Sequence, residues 1–304
     1  MFPIGDEHNG RRLTPYVNYA LIAVNILVFF VEASLSERQL FDFIFRWGTV
    51  PREVSEGREL FTLLTAIFLH GGWLHLGGNM LFLWIFGDNI EDTLGHWGYL
   101  TFYLLCGVAA SSLQVFVDPQ SGIPIVGASG AIAGVLGAYL ILFPHGNIRT
   151  VFLFVFIPFV ILIPAWIQIG LWALTQFMYG YAALGVETRA TSGGVAYFAH
   201  IGGFIAGIVL VWLFRDEDAI ARQKAARADT RAFQRIERRQ TADGSEKDAP
   251  REGRCGLVVP PSAVCRPPSV VSRSAVCRLP SAVSLGGSHA PFLPTPDRPG
   301  GADG

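Results

Sequence analysis

Six stretches of mostly apolar residues follow one another along the first 214 residues of the chain. Their limits are 17–31, 73–90, 99–117, 126–143, 151–179 and 195–214. A helix needs roughly 20 apolar residues to cross about 30 Å of hydrocarbon, so each stretch is a candidate transmembrane helix. Pro158 and Pro164 interrupt the fifth stretch, and we expect its helix to occupy 165–179. The pattern predicts an all-α polytopic membrane protein with six transmembrane helices.

Charged residues are scarce and unevenly placed, which supports a membrane location. They make up 15% of the chain, against 51% hydrophobic residues, whereas a soluble domain has about 25% charged residues. Residues 215–254 alone contain 11 Lys or Arg and nine Asp or Glu, so we expect the apolar body to end near residue 214. A net charge of -1 without a basic stripe argues against a nucleic-acid partner. Four cysteines are too few for a secreted disulfide scaffold.

Changes in composition divide the chain into four segments. We expect an N-terminal segment at 1–14, a six-helix domain at 15–214, a charged extension with a helical pattern at 215–248, and a tail at 249–304. The tail is rich in Pro, Ser, Val and Arg and contains a near-repeat, so it cannot bury a core. The sequence therefore predicts that the tail is disordered.

The distribution of Lys and Arg predicts the orientation in the membrane. Arg11 and Arg12 precede the first stretch, and Arg215 and Lys224 follow the last one. Basic residues concentrate on the cytoplasmic side, so we expect a multi-pass protein of the cell membrane with both termini in the cytoplasm. The 34–60 loop mixes charged and aromatic residues, which is typical of an amphipathic segment in the membrane interface.

Ser129 opens the fourth stretch at a depth where a polar residue needs an explanation. From Ser129 to the residue before Pro144, 14 helical steps of about 1.5 Å give roughly 21 Å, which is about 9 Å short of the bilayer thickness. Irregular backbone must therefore descend to Ser129, and it is tolerated at depth only inside protein or beside a water-filled cavity. A serine there can be a nucleophile or a helix N-cap in a small-residue contact formed by Gly130 and Gly134.

His200 lies at the same calculated depth on the sixth stretch. It is also 14 helical steps from the end of its stretch, before Arg215. Ala199, Gly203 and Gly207 repeat every four residues and predict a smooth face for close helix approach. A serine and a histidine at one level suggest a nucleophile and its general base; a packing or relay histidine is the alternative.

His75 and Asn79 lie one helical turn apart on the second stretch and share a helical face. An Asn amide and a His N–H are donors suited to stabilising an oxyanion. A metal site formed by His70, His75 and His200 competes with this interpretation, but no carboxylate or cysteine at that depth completes it. No Asp or Glu at that depth completes a catalytic triad either, so the sequence indicates a Ser-His dyad with the histidine oriented by packing.

Three motifs in order resemble those of the rhomboid family of intramembrane serine proteases. They are His75-Leu-Gly-Gly-Asn79, Gly127-Ala-Ser-Gly130 and Ala199-His-Ile-Gly-Gly-Phe-Ile-Ala-Gly207. They match the family's His-xxx-Asn, Gly-x-Ser-Gly and Ala-His-xx-Gly-xxx-Gly patterns, and the resemblance covers about residues 15–214. It implies a six-helix rhomboid-like bundle.

The resemblance also implies roles for individual residues. Ser129 would be the nucleophile and His200 the general base, and Asn79, His75 and the backbone N–H of Ser129 would form the oxyanion hole. The 34–72 loop would be the membrane-embedded first loop, and the fifth span would be the substrate gate. The family's aromatic residue four positions after the serine is Ala133 here, so Phe198, Tyr197 or Trp166 are the candidates for fixing the imidazole plane.

The function implied is cleavage of transmembrane or membrane-proximal segments through an acyl-enzyme, without a cofactor or metal. The expected partners are the lipid bilayer and membrane-protein substrates whose transmembrane segment is helix-destabilised. One alternative is a non-catalytic rhomboid-like binding or quality-control factor, although such a protein would be expected to lack the serine or the histidine. A small-solute transporter is the other, and the absence of an obvious inverted repeat argues against it.

Overall fold

The protein is mostly helical in the ranges that the structure describes. The structure is a computed structural model that describes residues 2–6, 12–154, 157–184 and 196–242. Its α-helices are α1 (Tyr16–Ser34), α2 (Glu37–Trp47), α3 (Pro51–Ser55), α4 (Thr62–Thr65), α5 (Trp73–Phe82), α6 (Asp88–Leu94), α7 (His96–Val117), α8 (Ser129–Leu142), α9 (Ala165–Leu184), α10 (Tyr197–Phe214) and α11 (Glu217–Ala242). Its strands are β1 (Phe2–Asp6), β2 (Asn147–Phe154) and β3 (Ile157–Pro164).

Three of these helices, α1, α7 and α10, are long and apolar enough to cross a membrane. Helix α8 is apolar but has only 14 residues. A π-helical turn at Leu83–Gly87 joins α5 to α6, so residues 73–94 are helical throughout. The predicted predominance of helices is therefore confirmed, and three membrane-spanning candidates are found in the described ranges.

Helix α8 forms the centre of the helical body. Eleven of its 14 residues are buried, because it packs against α7 on one side and α10 on another. A Cβ added at Gly203 or Gly207 of α10 would collide with the backbone of Gly130 or Gly134. Glycine at these positions therefore lets the two backbones touch, as in small-residue contacts between membrane helices.

The same glycines of α8 also face α7. A Cβ at Gly130 would lie 2.5 Å from the Cβ of Ala110, and one at Gly134 would lie 2.5 Å from the Cβ of Cys106. Cys106 is completely buried in this contact. Helix α8 is thus held between two neighbours at distances that leave no room for side chains on its glycines.

A three-stranded antiparallel sheet shows that the all-α prediction was wrong. The strand order is β1-β2-β3. Strands β2 and β3 pair along their whole length, from Asn147 opposite Pro164 to Phe154 opposite Ile157. Residues 151–163 are mostly apolar, and the pattern of such a run cannot separate a strand from a helix. Pro158 and Pro164 lie in β3, an edge strand, where a missing N–H is tolerated. Helix α9 begins directly afterwards, at Ala165.

The chain enters α1 and leaves α10 at the same end of the helical body, beside α6. The backbone N–H of Arg12 donates to Asp92 at 2.9 Å, and the N–H of Asp216 donates to the carbonyl of Thr93 at 3.1 Å. Gln223 of α11 is buried and donates to Asp92 at 2.7 Å. The charged segment after residue 214 is therefore helical at its start and packs against α6.

The segment between α1 and α5 contains the expected amphipathic element. Helix α2 begins after Ser36, whose backbone N–H donates to the side chain of Gln39 at 3.1 Å. Phe41, Phe45 and Trp47 are exposed on this helix. An exposed aromatic face beside charged residues suits the boundary between lipid headgroups and acyl chains.

Some expectations fall on residues outside the described ranges. The chain divides into residues 1–247 and 248–304, and every described residue belongs to the first unit. The predicted disordered tail at 249–304, with Cys255, Cys265 and Cys277, therefore lies outside the described residues. The disorder of this tail stays a prediction.

Candidate active site

A sharp change of backbone direction places Ser129 at the start of α8. Gly127 has a φ of 130°, in the region that favours glycine. Its N–H donates to the carbonyl of Ala66 at 2.9 Å, and Ile125 pairs with Thr49 in an isolated antiparallel bridge. The irregular segment before Ser129 is therefore held by backbone hydrogen bonds to protein, as irregular backbone at membrane depth requires.

The side chains of Ser129 and His200 are in direct contact. The distance between Ser129 Oγ and His200 Nε2 is 2.8 Å, although the residues are 71 positions apart in the chain. The close approach of α8 and α10 at Gly130 and Gly203 brings the two helices together just below this pair. A hydroxyl at this distance from an imidazole nitrogen has the geometry of a nucleophile and its general base.

The other ring nitrogen of His200 contacts α9. His200 Nδ1 lies 2.8 Å from Gln176 Oε1. The ring of Trp172, one turn earlier on α9, has its centroid 6.1 Å from the imidazole centroid, with the planes inclined at 37°. The sequence predicted that packing alone orients the imidazole of His200, with Phe198, Tyr197 or Trp166 as the candidate rings. In the structure the imidazole instead contacts the ring of Trp172 and the side-chain oxygen of Gln176.

Gln176 is the residue that the sequence analysis missed. A neutral amide carries no charge, so it can lie in an apolar helix at lower cost than an ionisable side chain. A signal was present, since Gln168, Trp172 and Gln176 are spaced by four residues and therefore share one face of α9. A repeated polar residue on one face of an apolar helix indicates a contact that needs a hydrogen bond.

His75 of α5 approaches the turn at Gly127. The N–H of Gly71 donates to His75 Nδ1 at 3.3 Å. In the neutral ring the proton is therefore on Nε2. A Cβ at Gly127 would lie 2.8 Å from His75 Nε2 and 3.5 Å from Ser129 Oγ. The N–H of His75 and the hydroxyl of Ser129 thus border the same small space.

Asn79 places a buried amide at the wall of the cavity that Ser129 and His75 also line. Its side chain is 7% exposed, and within the described part of the chain its Nδ2 has no hydrogen-bond partner. A buried donor without a partner is costly and calls for an explanation. A negatively charged oxygen formed in the cavity would supply the missing acceptor.

A cavity of about 1000 Å³ connects these groups. Its lining includes His75, Asn79, Ser129, Trp172 and His200. Leu74, Phe82 and Val126 are among its apolar lining residues. The cavity therefore combines apolar walls with a few converging polar groups, as is typical of small-molecule and substrate sites.

The alternative of a metal site draws on His70, His75 and His200. The rings of His70 and His75 are 5.2 Å apart between centroids. In the ranges that the structure describes, no group of three or more His, Cys, Asp or Glu is placed to hold a metal ion. His70 instead lies buried beside Glu32 of α1, whose carboxylate accepts its backbone N–H at 3.2 Å.

Most of the helical body matches a known protein domain. The rhomboid domain matches residues 57–217, which is more than half of the chain. This range contains Ser129, His200, His75 and Asn79.

Curated relatives carry rhomboid names. Rhomboid protein 1, mitochondrial, from Saccharomyces cerevisiae is 29% identical over 219 residues, covering 71% of this chain and 58% of the yeast protein. Rhomboid protease GluP from Bacillus subtilis is 31% identical over 202 residues, covering 66% and 36%. Presenilin-associated rhomboid-like protein, mitochondrial, from Mus musculus is 30% identical over 154 residues, covering 48% and 36%. The chain thus spans between 36% and 58% of the length of these relatives. With a rhomboid domain over more than half of its residues, the chain belongs to the rhomboid family.

Proposed function

We propose that this protein is an intramembrane serine endopeptidase that cleaves segments of membrane proteins with Ser129 and His200. The observation that carries the proposal is the 2.8 Å hydrogen bond between Ser129 Oγ and His200 Nε2, at the wall of a cavity of about 1000 Å³. Membership of a family that includes a relative named as a protease supports it.

The first step is attack on the scissile carbonyl. His200 Nε2 takes the proton of Ser129 Oγ while Oγ forms a bond to the carbonyl carbon. The carbonyl oxygen becomes an oxyanion as its double bond opens. The contact distance of 2.8 Å allows direct proton transfer without an intervening water.

Three donors are candidates for holding the oxyanion. They are the amide of Asn79, the Nε2–H of His75 and the backbone N–H of Ser129 at the start of α8. The unpartnered amide of Asn79 and the tautomer of His75 both support this role. Donors fixed in place before the reaction stabilise the charge without having to reorganise.

The second half of the reaction returns the enzyme to its starting state. The protonated His200 gives its proton to the leaving amine as the C–N bond breaks, which leaves an acyl-enzyme on Ser129. A water molecule then attacks the ester with His200 as base, and Ser129 Oγ recovers a proton.

We extend the proposal to the membrane topology. Helices α1, α7 and α10 would be joined by residues 73–94, α8 and α9 to give six spans in the cell membrane, with the domain limits predicted above. The meeting of residue 12 and residue 216 at α6 supports an even number of crossings. Both termini would then lie in the cytoplasm, where the charged helix α11 is solvated on its outer side.

The substrate class follows from the position of Ser129. A peptide bond inside a helix is not accessible to a nucleophile, so a transmembrane substrate must unwind at the cleavage site. Small or helix-breaking residues there would lower the cost of unwinding. We therefore propose substrates with a helix-destabilised transmembrane or membrane-proximal segment.

Cleavage of a fluorogenic transmembrane peptide in proteoliposomes tests this function. Ser129→Ala, His200→Ala and the double variant should all fall to the same low rate, because residues that act as a unit are not additive. A serine-directed fluorophosphonate should label Ser129 in the unmodified protein only. Substrate binding without cleavage would instead indicate a binding or quality-control factor, and solute uptake without labelling would indicate a transporter.

A further inference from the structure

Two polar residues of α9, Thr175 and Gln176, have no part in the mechanism described so far. They lie next to each other in a helix whose neighbouring residues are mostly apolar. Gln176 is half-buried and reaches the catalytic histidine, whereas Thr175 is exposed at its own position. Their hydrogen bonds form a chain from the α9 backbone to Ser129.

The chain begins at a backbone carbonyl. Thr175 Oγ1 donates to the carbonyl oxygen of Trp172 at 2.6 Å. A hydroxyl has only one proton, so this bond leaves Thr175 Oγ1 able only to accept. The side-chain nitrogen of Gln176 lies 3.3 Å from that oxygen and donates to it.

The position of the amide nitrogen determines the direction of the amide oxygen. With Nε2 turned toward Thr175, Oε1 of Gln176 faces His200 Nδ1 at 2.8 Å. A carbonyl oxygen can only accept, so His200 Nδ1 must carry the proton in this contact. In a neutral imidazole the other nitrogen, Nε2, is then unprotonated and can accept the proton of Ser129.

We propose that Gln176 is a positioning residue that fixes the tautomer and plane of His200, and that Thr175 fixes the orientation of the Gln176 amide. The proposal rests on the proposed function, since it assigns how the base of that reaction is prepared. Gln176 takes the orienting place that an aspartate has in a Ser-His-Asp triad, without the negative charge.

The same bond also acts after proton transfer. When His200 holds protons on both nitrogens, Nδ1–H still donates to Gln176 Oε1, and a hydrogen bond to a charged group is stronger than one to a neutral group. Trp172, which contacts the ring at 6.1 Å between centroids, limits rotation of the imidazole from the same helix. The catalytic base is therefore supported from α9 through both a hydrogen bond and a ring contact.

The main test compares Gln176→Met with a matched variant, Gln168→Met. Gln168 lies two turns earlier on the same helix and accepts a hydrogen bond from Thr150 rather than touching His200. We expect Gln176→Met to lower kcat on the fluorogenic transmembrane peptide about tenfold, with KM within twofold, because one orienting hydrogen bond is lost. The rate of Ser129 labelling by the fluorophosphonate should fall by a similar factor, and Gln168→Met should leave both rates near those of the unmodified protein.

Conservative variants separate orientation from folding. Gln176→Glu keeps an acceptor oxygen and should recover most of kcat and of the labelling rate. Thr175→Val should lower kcat about threefold, since the amide of Gln176 loses the acceptor that orients it, and Thr175→Ser should restore the rate. Thr175 is exposed, so its substitution should not prevent folding. If Gln176→Met fails to fold, the comparison of Thr175→Val with Thr175→Ser therefore tests the proposal.

The outcomes distinguish this proposal from the function on which it rests. If Ser129→Ala abolishes cleavage while Gln176→Met and Thr175→Val keep full kcat and labelling, the positioning role is wrong and the protease function stands. A rise in KM at unchanged kcat for Gln176→Met would also overturn it and indicate a substrate contact. Full cleavage by Ser129→Ala would overturn both proposals together.

Discussion

Gly203 of α10 rests directly against the backbone carbonyl of Gly130 in α8, with no space for a side chain between them. Gly130 follows Ser129, and Gly203 lies one turn beyond His200. The distance between the two helices at this contact therefore determines whether the serine and histidine side chains can meet. A small residue at each position is a condition for the 2.8 Å bond above it.

Replacing Gly203 with alanine should separate the two helices. The new Cβ would overlap the Gly130 carbonyl, and overpacking of this kind costs about 1 to 3 kcal/mol. We expect Gly203→Ala to lower the thermal unfolding temperature in detergent and to abolish peptide cleavage. Gly170→Ala is the control, because a Cβ there meets no atom within 4 Å; equal loss in both variants would contradict the role assigned to the contact.

The turn at Gly127 offers a test of the space beside Ser129. Gly127→Ala would strain the backbone at a φ of 130° and would place a Cβ 2.8 Å from His75 Nε2. We expect cleavage and fluorophosphonate labelling to be lost. Gly57→Ala serves as the matched variant, since Gly57 has a φ of 78° but open space around it. It should show backbone strain alone and keep its activity.

Asn79→Ala removes a donor from the proposed oxyanion hole. We expect kcat to fall by about 10² to 10³, as for other single oxyanion donors, with the unfolding temperature little changed. Asn25 is the comparison residue, because it is a buried asparagine whose Nδ2 already donates to the carbonyl oxygen of Leu21 at 2.7 Å. Asn25→Ala should change stability and not kcat. A purely structural role for Asn79 would make the two variants behave alike.

Glu91 should contribute to stability rather than to catalysis. Its side chain is fully buried in the middle of α6, and it accepts the backbone N–H groups of Val17 and Asn18 at 3.0 and 2.7 Å, at the start of α1. A carboxylate is favourable at a helix N-terminus, where N–H groups lack partners within the helix. Glu91→Gln should therefore lower the free energy of unfolding by about 1 to 3 kcal/mol.

A chemical denaturation series in detergent measures this effect. Glu56→Gln is the control, because Glu56 is exposed and pairs with Arg58 at the surface, where an ion pair contributes little. Loss of kcat in folded Glu91→Gln protein, without loss of stability, would show that the carboxylate acts on the reaction.

The helical part of the fold could be predicted because a helix that crosses a membrane needs about 20 consecutive apolar residues. The apolar runs of α7 and α10 are long enough, and their limits were predicted to within three residues of His96–Val117 and Tyr197–Phe214. The β2 and β3 strands could not be separated from a helix in the same way. Their residues are also apolar, and strand pairing depends on partners elsewhere in the chain.

The candidate site shows the same division at the level of single residues. Ser129, His200, His75 and Asn79 were identified because polar side chains at membrane depth are rare and each needs a reason. Gln176 was not identified, since a neutral amide in an apolar helix is unremarkable until its neighbour is known. Its contact with His200 depends on how α9 is rotated about its axis and on how closely it approaches α10.

The sequence by itself determined the membrane character, most of the helices and the candidate residues for acyl transfer, because each depends on local composition and on spacing along one helix. Only the tertiary structure decided that residues 71 positions apart share a hydrogen bond, that β1 joins the hairpin after α8, and that Gln176 of α9 contacts His200. The strand pairing depends on partners far apart in the chain. The two contacts of His200 depend on how the packed helices are rotated and how far apart they lie, which small residues at the helix contacts determine.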